Sequence, residues 1–148
     1  MGRQLKRQVI RIEAATLVEG QADGNALVLD DLLSFWGGFD PSDGRIIDVH
    51  HPQHQQQVGG QVLCIPASKG SAGTPGGIAE TLRNGTGPIA FVLGERDVNI
   101  SIGVLVANRL YGLEVPVLQI SLQQIQTIGN GDRITIDDNG ILSITAQG

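Results

Sequence analysis

A single cysteine, Cys64, stands among 148 residues, so an internal disulfide and a cysteine cluster for iron or zinc are both excluded from this chain. Aromatic residues make up only 3%, which leaves Val, Ile, Leu and Ala to build the core and favours sheets. No apolar run has the length of a bilayer crossing, and the start lacks the apolar centre of a signal peptide. The cytoplasm is therefore the expected compartment, with no membrane partner. Excess positive charge is missing too. The formal net charge is −5, which speaks against an extended nucleic-acid surface; the basic cluster Arg3, Lys6, Arg7 and Arg11 reads as an exposed, solvated terminus, with residues 1–8 expected to be a flexible start. Several catalytic signatures are also absent: G-x-S-x-G, the two Gly-rich nucleotide patterns, a Cys–His pair in a believable setting, and a conspicuous close pair of carboxylates.

What is present is a folded, Gly-rich chain: 41% hydrophobic, 17% charged, with 21 glycines. Its length suits one domain, residues 1–148. Strands are expected at residues 9–13, 26–29, 45–49, 62–65, 89–93 and 115–120, with a turn-rich link at 19–24 and a turn at 40–44. The runs 62–65 and 89–93 are continuously apolar, as in strands covered on both faces, and the helix expected at 78–83 between them implies a parallel pair. Arg83-Asn84-Gly85 reads as its stop. A second helix is expected from Asp97 to Leu110, capped by Asp97 or Asn99 and ended at Tyr111-Gly112-Leu113, although Ile102, Leu105 and Val106 blur its apolar face. Residues 132–137 and 140–145 alternate around Asp137-Asp138-Asn139-Gly140, a hairpin pattern. The sum is a strand-rich α/β domain with about two helices, arranged as two sheet layers with helices on one side.

Between the strand 62–65 and the first helix lies Pro66-Ala67-Ser68-Lys69-Gly70-Ser71-Ala72-Gly73-Thr74-Pro75-Gly76-Gly77. Small residues let backbone approach a ligand, and free N–H groups at a helix start donate to anionic oxygens. The plainer reading is a loop into a capped helix, Thr74 as cap and Pro75 as first helical residue. The segment 32–40 holds Trp36, Phe35 and Phe39 beside Gly37-Gly38, and is either a satellite core or the wall of a site. His50, His51 and His54 invite a metal reading, but Pro52 breaks helical spacing and the Gln run suggests a solvated loop.

The chain resembles the small, swivelling domain of the aconitase X family. The resemblance is carried by Ser34-Phe35-Trp36-Gly37-Gly38-Phe39-Asp40-Pro41, Asp43-Gly44-Arg45-Ile46-Ile47-Asp48, His51-Pro52-Gln53-His54, Ser68-Lys69-Gly70-Ser71 and Arg83-Asn84-Gly85-Thr86-Gly87-Pro88, in family order. Each piece alone is weak; the ordered set, over roughly residues 20 to 120, is specific. It departs from the family where Ala72-Gly73-Thr74-Pro75 replaces a Ser-rich run.

The resemblance implies an aconitase-like swivelling β/β/α fold and the small subunit of a heterodimeric, iron-dependent hydro-lyase, inactive alone. On that view no metal is ligated here, and an iron or iron–sulfur centre sits on the large subunit. Ser71 would be the catalytic base. Ser34, Trp36, Gly37, Gly38, Gly70, Ala72, Gly73 and Thr74 would line the substrate, a small hydroxy acid. Trp36 and the His51–His54 segment incline the implied substrate toward cis-3-hydroxy-L-proline, with mevalonate 5-phosphate as the alternative. A third possibility is a non-catalytic swivelling carrier or interaction domain, to which the closing hairpin is similar. A carrier needs a phosphorylatable His or Cys in its Gly-rich loop, and this loop offers neither.

Overall fold

The computed structural model describes residues 9–29, 39–40, 42–47, 49–50, 52–66 and 74–146, with Phe39 and residues 74–76 as backbone alone. In chain order the elements are β1 (Val9–Glu13), β2 (Ala15–Val18), β3 (Ala22–Val28), β4 (Phe39–Asp40), β5 (Arg45–Ile46), β6 (Val62–Ile65), α1 (Thr74–Arg83), β7 (Ala90–Leu93), α2 (Val98–Tyr111), β8 (Val117–Gln119), α3 (Leu122–Ile125), β9 (Arg133–Ile136) and β10 (Ile141–Thr145). Eight strands form one mixed sheet in the order β1-β10-β9-β3-β6-β7-β8-β2. Its two ends are consecutive in the chain, with Ala14 alone between β1 and β2, so the sheet must bend back on itself into two layers.

Strand β3 joins the layers on the other side. Its first half, Ala22 to Asn25, pairs antiparallel with β9, and its second half, Ala26 to Val28, pairs parallel with β6. One layer is thus antiparallel, β1-β10-β9-β3, and the other has β3, β6, β7 and β8 parallel with β2 antiparallel at the end.

Side-chain parity divides the core in two. Val62 and Cys64 of β6, Ala90 and Val92 of β7, and Leu118 of β8 point between the layers, where they meet Ile134, Ile136, Leu142 and Ile144. The alternate residues, Leu63, Ile65, Phe91, Leu93 and Val117, pack under Ile78 and Leu82 of α1 and Ile100, Val104 and Ala107 of α2. Strands β6 and β7 are buried at every position, as their unbroken apolar sequence requires. The expected two sheet layers with helices on one side are observed.

Punctuation follows local chemistry. The Asp97 carboxylate caps α2 by accepting from the Ile100 N–H at 3.0 Å, and Gly112 closes it in the left-handed region. The amide of Asn108 then exchanges two hydrogen bonds with the backbone of Val115, at 3.0 and 3.1 Å, aiming the chain into β8. In the β9–β10 hairpin, Asp137 accepts from the N–H groups of Asn139 and Ile141.

Several expectations are corrected. Residues 22–25 are strand, because β9 pairs with them although their polar composition hides it. Strand β2 and the short α3 were not anticipated; α3 forms on a reciprocal cap between Ser121 and Gln124. The strand expected at 45–49 keeps only Arg45 and Ile46, and Val115 and Pro116 precede β8, whereas the expected turn at 40–44 is present: Asp40 ends β4 and its carbonyl accepts from the Gly44 N–H at 2.9 Å. Helix α1 begins at Thr74 itself, four residues ahead of 78 and one ahead of Pro75, the start that the capping reading gave.

The core also sets the chemistry of Cys64. Burial first, and the charge of Asp132 second, push its thiol up to about 12. At pH 8 only about one such thiol in 10⁴ is ionised, and none is accessible. Cys64 is therefore expected to stay unreactive toward a thiol reagent at pH 8 in the native protein and to react at once in denaturant; rapid native labelling would contradict the placement. Because the unfolded thiol ionises first, this contribution to stability is full below about pH 9 and is lost as the pH rises toward 12.

Candidate functional site

Four parallel strands, β3, β6, β7 and β8, end on one edge of their layer. In sheets of this kind ligands bind beyond the carboxyl ends of the strands, where loops meet helix starts. The register places those ends side by side: Val28 opposite Cys64, Ile65 opposite Leu93, and Leu93 opposite Gln119. Staggered backbone bonds continue the ladder past the strands. The N–H of Leu29 donates to the Cys64 carbonyl at 3.0 Å, that of Gly94 to Ile65 at 2.9 Å, and that of Ile120 to Leu93 at 2.9 Å.

Both stretches singled out in the sequence depart from this edge. Ser34, Trp36, Gly37 and Gly38 follow Leu29 at the end of β3; Gly70, Ser71, Ala72 and Gly73 follow Pro66 at the end of β6. All eight lie outside the described residues. Thr74 is the first residue of α1, ten residues long, which returns the chain across the sheet. Since β3 and β6 are hydrogen-bonded neighbours, the two stretches start from adjacent strand ends. A sequence read element by element does not reveal this.

The third connection on the edge, Gly94 to Asp97, is fully described. Gly94 fits because it has no side chain: a Cβ there would lie 2.9 Å from the Pro66 carbonyl oxygen and 2.8 Å from Leu122 Cδ2. Glu95 and Arg96 beyond it are exposed. Sequence reasoning passed over both. Their position between a buried strand and a helix cap was the available signal.

The hairpin β4–β5 follows the 30–38 stretch. Asp40 accepts from the Ser42 hydroxyl at 2.6 Å and from the Ser42 N–H at 2.9 Å, which holds its carboxyl below the usual carboxylate range. The segment after it is less solvated than its composition suggests. Gln53 is buried and donates to the carbonyl of Val28, the last residue of β3, at 2.9 Å, while Val58 is fully buried. His50 and His54 sit in exposed turns, and His51 lies outside the described residues. Among the described residues no group of three or more His, Cys, Asp or Glu is arranged to hold a metal. Cys64, with its thiol held protonated between two sheets, does not fit an iron ligand.

No helix among the described residues is long and apolar enough to cross a membrane. Comparison with known proteins then places the fold. The model of the aconitase X swivel domain matches residues 11–144. A cis-3-hydroxy-L-proline dehydratase of Pseudomonas aeruginosa is 38% identical over 102 residues, 69% of this chain but 18% of that protein. The phosphomevalonate dehydratase small subunit of Methanocella arvoryzae is 29% identical over 138 residues, 92% of this chain and all of that one. In three dimensions the chain is similar to a chain of the Thermococcus kodakaraensis aconitase X crystal structure, with a TM-score of 0.81 at 25% identity, covering 91% of this chain and 98% of that one. The chain spans less than a fifth of the hydroxyproline dehydratase it matches. With both long helices and all of the sheet but the outer ends of β1 and β10 inside the matched span, the chain belongs to the aconitase X swivel-domain family.

Proposed function

We propose that this chain is one swivel-type unit, the small part of a two-part dehydratase, closing over a larger chain that carries an iron centre and most substrate contacts. The observation that carries the reading is the shared strand edge: the Ser71 stretch and the Ser34–Gly38 stretch leave from adjacent parallel strands within a domain of the aconitase X family. Ser71 acts as the base. Its Oγ, as the alkoxide, takes the proton from the carbon beside the one bearing the departing hydroxyl; the C–H electron pair becomes the C=C bond, and the hydroxyl leaves with the C–O pair to become water on protonation, a departure that an iron on the larger chain would assist. A serine hydroxyl does this only when its anionic form is stabilised in a closed, water-poor site, which assigns the loop N–H groups at Gly70, Ala72 and Gly73 a direct role. Thr74 closes the same stretch, and Ser34, Trp36, Gly37 and Gly38 form the facing wall.

The substrate is cis-3-hydroxy-L-proline on this reading, supported by the 38% identity to a dehydratase named for it. A second reading, mevalonate 5-phosphate, is favoured by the match along the whole length of a phosphomevalonate dehydratase small subunit. Offering both compounds to the complex of this chain with its large partner tests the choice. Turnover of hydroxyproline with none of the phosphate ester is expected; the reverse preference would overturn the first reading and establish the second.

A further inference from the structure

Helix α2 is apolar on two faces. Ile100, Gly103, Val104 and Ala107 are buried against α1 and the sheet. On another face Val98, Ile102 and Leu105 recur at helical spacing and are 58%, 46% and 45% exposed. A helix apolar all round is normally covered on all sides. Here the second face borders β2, whose outer edge has no strand partner among the described residues. Two cavities of about 210 and 430 Å³ run along this border and share Leu17, Val18 and Leu105. Together they make one groove, from Arg96 and Val98 at the start of α2 to Arg109 near its end. Arg96 is two residues past Gly94, so the groove begins at the strand edge that carries the candidate site.

We infer that this groove is a docking surface for the large chain of the two-part enzyme. The inference rests on the proposed function and adds where the parts meet. The occupant is a protein surface with an apolar ridge against Val98, Ile102 and Leu105 and a carboxylate facing Arg96. Two observations favour it over a second copy of this chain. The stretch that aligns with this chain is only 18% of the Pseudomonas relative, so most of that protein lies outside it and offers a larger surface to meet. The groove is also continuous with the site edge, and a partner closing over that edge reaches the groove in the same movement.

The test is titration of the purified chain against its large partner chain. Val98→Glu and Ile102→Glu should each raise Kd by about 30-fold or more. Thr135→Glu, on the exposed face of β9, should stay within about twofold. Val98→Glu puts an acid in the first turn of α2, where it favours the helix, so lost binding there is not lost folding. Unchanged Kd in both groove variants, with the wild type binding, overturns the inference and leaves the two-part reading standing. Failure of the wild type to bind overturns the two-part reading and this inference with it. A dimer of the isolated chain that Ile102→Glu dissociates, while large-chain binding persists, assigns the groove to a second copy and likewise overturns it.

Discussion

Replacing Ser71 with alanine is expected to reduce kcat of the assembled enzyme by about 10³-fold or more, the scale of losing a positioned proton acceptor. KM should change little, and affinity for the large chain should stay within about twofold, because no apolar contact is removed. A dehydration alpha to an acidic carbon needs a base on one face, and among the side chains of the two stretches on the shared edge a serine in a Gly-rich loop fits best. The alanine variant keeps the loop backbone and its N–H groups, so it separates the base from the environment that activates it. Steady-state kinetics on the complex read the result. Activity within tenfold of wild type would remove Ser71 from the chemistry.

The second large effect is structural. Phe91→Ala should cost about 3–5 kcal/mol, lowering the melting temperature by roughly 10 °C. Phe91 is fully buried at the centre of β7, opposite Leu63 of β6 and Val117 of β8, on the face that packs under both long helices. It is also the largest fully buried side chain among the described residues of a domain with few aromatics, so no neighbour of similar volume can fill the cavity. Thermal unfolding by circular dichroism measures the shift. A loss under about 1 kcal/mol would mean that the helices do not close over β7 as described.

Much of this was legible in the sequence, for reasons that particular residues show. Val62-Leu63-Cys64-Ile65 and the run at 89–93 announce strands because both their faces are covered, although which residues face the helices appears only with the pairing. Asp97 and Gly112 delimit α2 through their own side-chain and backbone chemistry, which needs no tertiary context. Ala22-Asp23-Gly24-Asn25 fails to announce β3 because its partner β9 lies 110 residues away and its composition mimics a turn. The candidate site rests on motif alone: Gly70-Ser71 and Ser34 to Gly38 stand out by family resemblance. That both stretches leave one edge was not legible, since adjacency of β3 and β6 is a property of the sheet. The blurred face of α2 is physical: Ile102, Leu105 and Val106 are all exposed, and Ile102 and Leu105 line an apolar surface beside β2.

A shared active site, with this chain as one part, has a direct kinetic consequence. The most direct measurement is dehydration of cis-3-hydroxy-L-proline and of mevalonate 5-phosphate by this chain alone, by the iron-loaded large chain alone, and by their mixture. The account predicts no turnover from either chain and turnover of one compound by the mixture, abolished by Ser71→Ala in this chain. Equal turnover by the large chain with and without this one would contradict it.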